Sequence, residues 1–256
     1  MVTILEPSYA QGQITVDDTK ETKTYQPDNN RLVVQPSPYQ LQPSFDFRWK
    51  LIEQNYVVSL GRAATIAGQD VREILIKPVS KEIPVRHMFV DSEHFVVLKY
   101  TVDSEGKPPV VVFDTKYVEF GSGPATANFG LPASSSSAHK VVFDGPVKLA
   151  SASDSKSAAG FSARLPDKLP FGFKVSGAYL FKQWSGGAYV QVKLTDGMVT
   201  LTVFQWRQGR TQKPVDARLV QDDSFNVNYG IAVIPGDRMP EEVLRRLVEA
   251  FAESSQ

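Results

Sequence analysis

The chain has 256 residues, and its 28 Lys and Arg are balanced by 28 Asp and Glu, so there is no global basic field to hold nucleic acid by neutralising phosphates. Cysteine is absent, which excludes disulfides, thiol catalysis and thiolate metal sites. Hydrophobic residues at 42% and charged residues at 22% leave enough apolar material for a real core in a chain of this length, so whole-chain disorder is excluded.

The first half alternates between short apolar runs and turn signals. Met1–Leu5 ends at Glu6-Pro7, Gln13–Val16 precedes Asp17-Asp18, and Arg31–Gln35 is stopped by Pro36 and Pro38, which cannot donate to a ladder. Ser44–Gln54 reads as a helix with Ser44 as its N-cap, an apolar face of Phe45, Trp49 and Ile52, and Phe47 and Leu51 widening that face. Strands are then expected over Asn55–Thr65, Val71–Lys77, Val85–Val90, Phe95–Val102 and Val110–Phe120, with a Gly68-centred turn in the first hairpin. Residues 126–160 are rich in Ser, Ala and Gly and read as a linker, with VVFDGPVKL (141–149) as a strand pair or docked arm inside it. Beyond it, Ser176–Lys182, Ala188–Leu194, Val199–Trp206 and Asn226–Ile234 read as strands. Asp196-Gly197 joins two of them and suits a type I′ turn. Met239–Glu253 reads as an amphipathic helix with Val243, Leu244, Leu247, Val248 and Phe251 on one stripe. No stretch approaches the roughly 20 apolar residues that span a bilayer as a helix.

Several central strands, such as FVVL (95–98) and VVVF (110–113), are apolar on both faces, whereas a sheet with one buried face alternates. The second face must be covered, by the 44–54 helix or by a lipid-like ligand. Ile74, Ile76, Met88, Val90, Val96, Leu98 and Val111 are the candidate lining of an apolar cavity. A filled core fits the same pattern, and a one-residue slip exchanges the faces.

Catalytic motifs are missing. His87, His94 and His139 have no H-x-x-x-H or H-E-x-x-H spacing, and the expectation is strand or surface histidines with no metal role. No G-x-S-x-G occurs, and the Ser134–Ser137 run lies in low-complexity sequence. Gly186-Gly187 and Gly121-Ser122-Gly123 lack the Lys-Ser/Thr of a phosphate loop. Asp17-Asp18 and Asp222-Asp223 are adjacent, so on extended chain they point to opposite faces and make poor dyads. Trp184 and Trp206 border the 188–206 hairpin and are candidate partner contacts, with core packing as the alternative. These readings predict a protein that is not an enzyme and has no cofactor.

The order of motifs resembles the LolA/RseB superfamily of periplasmic proteins. QNYVVSLGRAATIAGQDVREILIKP (54–78) and RHMFVDSEHFVVLKYTVDSEGK (86–107) carry the resemblance through Ala67-Gly68, Pro78, Arg86, Val90-Asp91, Lys99 and Asp103–Lys107. Residues 5–38 resemble the section of that domain before its helix. LPDKLPFGFKVSGAYL (165–180) and VQVKLTDGMVTLTVFQ (190–205) resemble the small C-terminal domain of the RseB/MucB-type sigma-E regulators, through Leu169-Pro170, Gly172-Phe173, Thr195-Asp196-Gly197 and Thr202-Val203-Phe204. The resemblance implies a mainly β, α+β fold: an open antiparallel half-barrel with a covering helix over 1–125, the linker 126–160, and a small α+β domain over 161–256. It also implies a periplasmic location and binding of an anti-sigma factor or other envelope protein, with sensing of lipid or lipoprotein. The alternatives are a LolA-like carrier of acyl chains and a scaffold that shares only the fold. As aligned, Met1 falls inside the domain, so the family's first helix and early strands are missing. An incomplete barrel would expose an edge on which a second copy pairs.

Overall fold

The computed structural model describes residues 2–3, 11–103, 106, 108–121, 130–182, 187–207, 218–222, 227–233 and 239–254. In chain order, β1 (Val2–Thr3), β2 (Ile14–Asp17), β3 (Glu21–Gln26) and β4 (Arg31–Pro36) precede the helix α1 (Phe45–Asn55). Five strands follow: β5 (Tyr56–Ile66), β6 (Gln69–Pro78), β7 (Val85–Asp91), β8 (Val97–Asp103) and β9 (Val110–Asp114). The Ser/Ala-rich stretch carries β10 (His139–Val142), β11 (Val147–Lys148) and the one-turn helix α2 (Lys156–Ala159). The last part contains β12 (Lys174–Lys182), β13 (Ala188–Thr195), β14 (Thr200–Arg207), β15 (Arg218–Asp222), β16 (Val227–Val233) and the helix α3 (Glu241–Glu253).

The fold is mainly β. Its described strands make three open sheets, ordered β1-β2-β3-β4-β10, β5-β6-β7-β8-β9 and β11-β12-β13-β14-β16-β15. The chain groups into two compact units, Met1–Gln42 with Gly121–Pro146, and Pro43–Phe120 with Val147–Gln256. In the first unit β10 joins β4 in parallel, His139 beside Arg31, and so draws part of the Ser/Ala-rich stretch into a sheet. The Asp17-Asp18 pair does turn work there. The Asp17 carboxylate accepts from the Thr19 N–H at 2.7 Å, and that of Asp18 accepts from the Lys20 and Glu21 N–H groups at 2.9 and 2.7 Å. β3 escapes a periodicity reading because ETKTYQ is nearly all polar, yet Thr22 and Tyr25 are buried.

The second unit holds the main core. Val190, Val192 and Leu194 of β13 and Leu201 and Val203 of β14 are fully buried against Val243, Leu247, Val248 and Phe251 of α3. The expected stripe of α3 is therefore its buried face, and burial of such side chains contributes about 1.5–3 kcal/mol each. Tyr56, Ile76 and Ile83 from the β5–β9 region belong to this same core.

Two turns exchange the roles their sequences suggest. The β5–β6 hairpin closes through Ala67 and Gly68, both at positive φ (50° and 77°), which is the type I′ requirement. At Asp196-Gly197 only Gly197 has positive φ, 103°, so the turn is not type I′. Residues 196–199 form a longer loop in which the Asp196 carboxylate accepts from the Met198 and Val199 N–H groups at 2.9 and 2.8 Å.

α1 docks on this loop. Arg48 Nε donates to the Gly197 carbonyl at 3.0 Å, and Asn55 Nδ2 donates to the carbonyls of Asp196 and Gly172 at 2.9 and 3.0 Å. The helix therefore turns Leu51 inward and leaves Phe45 and Trp49 outside, with their rings stacked at 6.0 Å. The expected Phe45–Trp49–Ile52 face is thus not the buried one, because backbone anchors rather than the aromatic stripe set the rotation of the helix. A Cβ on Gly197 would lie 2.7 Å from both the Arg48 carbonyl oxygen and the Ile52 nitrogen. Gly197→Ala is expected to cost about 2 kcal/mol or more from positive φ and this clash together, read as a lower midpoint in urea unfolding with an unchanged slope.

Candidate functional site

The β5–β9 sheet carries the residues on which the sequence argument concentrated. Cross-strand partners share a face, so the register sorts them. Ile74 lies opposite Met88, Arg72 opposite Val90, and Ile76 opposite Arg86. Leu60 and Val58 of β5 lie opposite Ile74 and Ile76, and Tyr100 and Val102 of β8 lie opposite Met88 and Arg86. Phe113 of β9 is paired with Tyr100, their rings 6.2 Å apart. Leu60, Ile74, Met88, Tyr100 and Phe113 thus form one apolar row across five strands, and Val58, Ile76, Arg86 and Val102 form the neighbouring row on the same face.

The rows are graded in burial. In the neighbouring row Ile76 enters the core shared with α3, and Val102 and Arg86 are fully buried. Arg86 donates from Nη1 to the Pro84 carbonyl at 2.9 Å and contacts the Met239 sulfur at 3.9 Å. In the middle of the first row, Ile74 and Met88 are half-buried against that core. At its two ends, on the edge strands β5 and β9, Leu60 is 76% and Phe113 42% exposed.

Of the seven proposed lining residues, Ile74, Ile76, Met88 and Val90 share this face. Leu98 and Val111 do not. Leu98 packs on the opposite face with Val71 and Phe89, because an irregularity between Phe89 and Val90 shifts the β7–β8 register. Val111 pairs with Thr101 on that opposite face, and Val96 is exposed in the turn before β8. Val118 and Phe120 cover the Leu98 cluster, and the Phe120 ring stacks on His94 at 3.8 Å. Neither of the two cavities described in this unit is lined by any of the seven. The larger, an open groove of about 460 Å³, lies between α1 (Phe47, Leu51) and Leu165, Lys174 and Val175. The smaller, about 270 Å³, is bounded by Tyr56, Val79, Ile83 and Phe171.

Trp206 is 2% exposed and clusters with Phe204 and Tyr189, so it sits in packing rather than on a contact surface. Trp184 lies outside the described residues. Phe45 and Trp49 are instead the aromatic pair on a surface. Sequence spacing pointed to them only as a helix face.

Behind the apolar row, the opposite face carries a polar ladder. His87 Nδ1 lies 2.7 Å from Glu73 Oε1, and His87 Nε2 lies 3.2 Å from Asp103 Oδ2. Both contacts are hydrogen bonds when both ring nitrogens carry protons. Glu73 also accepts from the Arg62 N–H at 3.1 Å, and the His87 hydrogen bond above all holds its carboxyl below the ordinary carboxylate range. His94 is bound to Asp91, and His139 is exposed on β10. Among the described residues no group of three or more His, Asp or Glu is placed to hold a metal ion.

No family model matches this chain, and no curated protein does. Solved structures do. The crystal structure of MucB aligns over 93% of this chain and 82% of its own, with a TM-score of 0.53 at 12% identity. The MucA/MucB complex of Pseudomonas aeruginosa aligns over 92% and 82%, with a TM-score of 0.56 at 14% identity. MucB in complex with MucA(peri) aligns over 92% and 84%, with a TM-score of 0.54 at 14% identity. The chain has the MucB fold. The MucB alignment therefore spans nearly the whole chain.

Because the folded pKa of Glu73 is depressed, its contribution to stability is complete above the unfolded carboxylate value. That contribution is lost as pH falls through the folded one. Wild type is expected to lose stability on acidification below about pH 4.5, and Glu73→Gln to lose less over the same window, measured as urea midpoints from pH 6 to pH 3.

Proposed function

We propose that this chain is a non-enzymatic, MucB-like binding protein of the bacterial envelope, which holds an extracytoplasmic segment of an anti-sigma factor. The observation that carries this reading is the near full-length alignment to MucB, solved both alone and with MucA. The exposed ends of the apolar row and the Phe45–Trp49 pair support it, since apolar and aromatic side chains left in solvent are what a partner surface offers. A lipid or acyl chain is a second ligand for the apolar row. The half-buried Ile74, Met88 and Tyr100 favour it, because they present apolar surface that leads inward from the exposed Leu60 and Phe113.

The test is to mix the purified protein with the extracytoplasmic segment of each anti-sigma factor of the same genome and measure complex formation by size-exclusion chromatography with light scattering. A defined complex with one of them is expected. Failure with all of them overturns the regulator reading. Native mass spectrometry before and after organic extraction decides the second ligand: a co-purifying mass lost on extraction supports acyl binding, and a bare mass that takes up no added fatty acid removes it.

A further inference from the structure

β5, 11 residues long, is the longest of the described strands, and among the described residues it stands at the edge of its sheet with only β6 beside it. Every second N–H and C=O of an edge strand points away from the sheet, which makes it a template for another chain unless a charge, a proline or a bulge blunts it. Here the bulge blunts only one half. Gly61 and Arg62 fall between the paired residues Leu60 and Ala63, where the register shifts. A Cβ on Gly61 would lie 2.3 Å from Glu73 Oε2, and that same oxygen accepts from the Arg62 N–H at 3.1 Å. A side chain at this position would have to displace the Glu73 carboxylate, and the amide that follows it is turned to Glu73. On the other side Tyr56 is buried.

Between them lies Val57-Val58-Ser59-Leu60, with no charge and no proline. All four residues are exposed, although successive side chains point to opposite faces. Neither face of the strand is covered at this stretch.

We propose that residues 57–60 bind an extended segment of another polypeptide, which adds to the sheet as a sixth strand beside β5. The unpaired backbone groups select the occupant's conformation, because only another strand repeats donors and acceptors at their spacing. Size selects another polypeptide over a second copy of this chain. The bulge limits pairing to four residues, about 13 Å of strand, which buries far less than the roughly 1,200 Å² of a stable specific interface. Charge selects its ends. The exposed Lys77, paired with Val57, and the exposed Arg62 flank the stretch, so the segment that fits is apolar in its centre and acidic at its termini. This inference rests on the geometry of β5 and is independent of the anti-sigma reading.

The experiment uses the full chain and a fluorescein-labelled, C-terminally amidated peptide Asp-Thr-Val-Thr-Val-Thr-Val-Asp. Two further versions are N-methylated on its odd or on its even residues. Binding is read by anisotropy and located by amide hydrogen exchange. The expected result is saturable binding, slowed exchange confined to residues 57–60, and a loss of at least about tenfold in affinity in one of the two N-methylated versions. The double variant Val58→Lys, Leu60→Lys, at two exposed positions, is expected to weaken binding to a similar degree while its circular dichroism spectrum stays that of wild type. Absence of protection at 57–60, equal binding of both N-methylated peptides, or unchanged binding by a folded double variant overturns the proposal. Concentration-dependent dimerisation in sedimentation that the double variant abolishes also overturns it, since the occupant is then a second copy.

Discussion

A carboxylate buried among apolar strands persists only if its oxygens and the backbone around it are satisfied, and Asp196 gathers that satisfaction from three parts of the chain. Its own loop supplies the Met198 and Val199 N–H groups. The first residue of β5 supplies the Tyr56 hydroxyl, which donates to the second oxygen. α1 supplies Asn55 to the Asp196 carbonyl and Arg48 to that of Gly197. Burial pushes the Asp196 carboxyl upward and the Tyr56 hydrogen bond pulls against it, while burial together with the neighbouring carboxylate raises the Tyr56 hydroxyl. Through this one loop the helix, the β5–β9 sheet and the C-terminal sheet are fixed to one another. Glycine at 197 is what allows α1 to come close enough.

That anchorage explains how the apolar row is used. The part of this face near Tyr56 and Ile76 is drawn into the core with α3, and Leu60 and Phe113 on the two edge strands are left outside. A sheet with two apolar faces is thus divided three ways. One face is partly core and partly open, while the other carries a small cluster under Val118 and Phe120 beside the Glu73–His87–Asp103 ladder. The ladder has a mechanical role too, since Glu73 holds the bulge that ends the free edge of β5.

Much of the fold was legible. Strand positions from β5 to β8, the α3 stripe and the order of motifs that resembles the RseB/MucB-type regulators could all be read along the chain. β3 could not, because a polar strand such as ETKTYQ has the composition of a loop. Which of the central apolar residues share a face was legible in part. Alternation placed Ile74, Ile76, Met88 and Val90 on one face, but register irregularities moved Leu98 and Val111 to the other, and sequence gives no sign of a bulge inside an apolar run.

The sequence by itself determined the β-rich class, the absence of thiol chemistry and of a strong charge field, and the helical stripe of α3, because composition and short-range periodicity act locally. Tertiary structure alone decided which face of α1 is buried, that Trp206 is packed while Phe45 and Trp49 are exposed, and that residues 57–60 of β5 are exposed. Each of these depends on contacts between residues distant in the chain, such as Arg48 with Gly197 and Tyr56 with Asp196, and no local pattern encodes them.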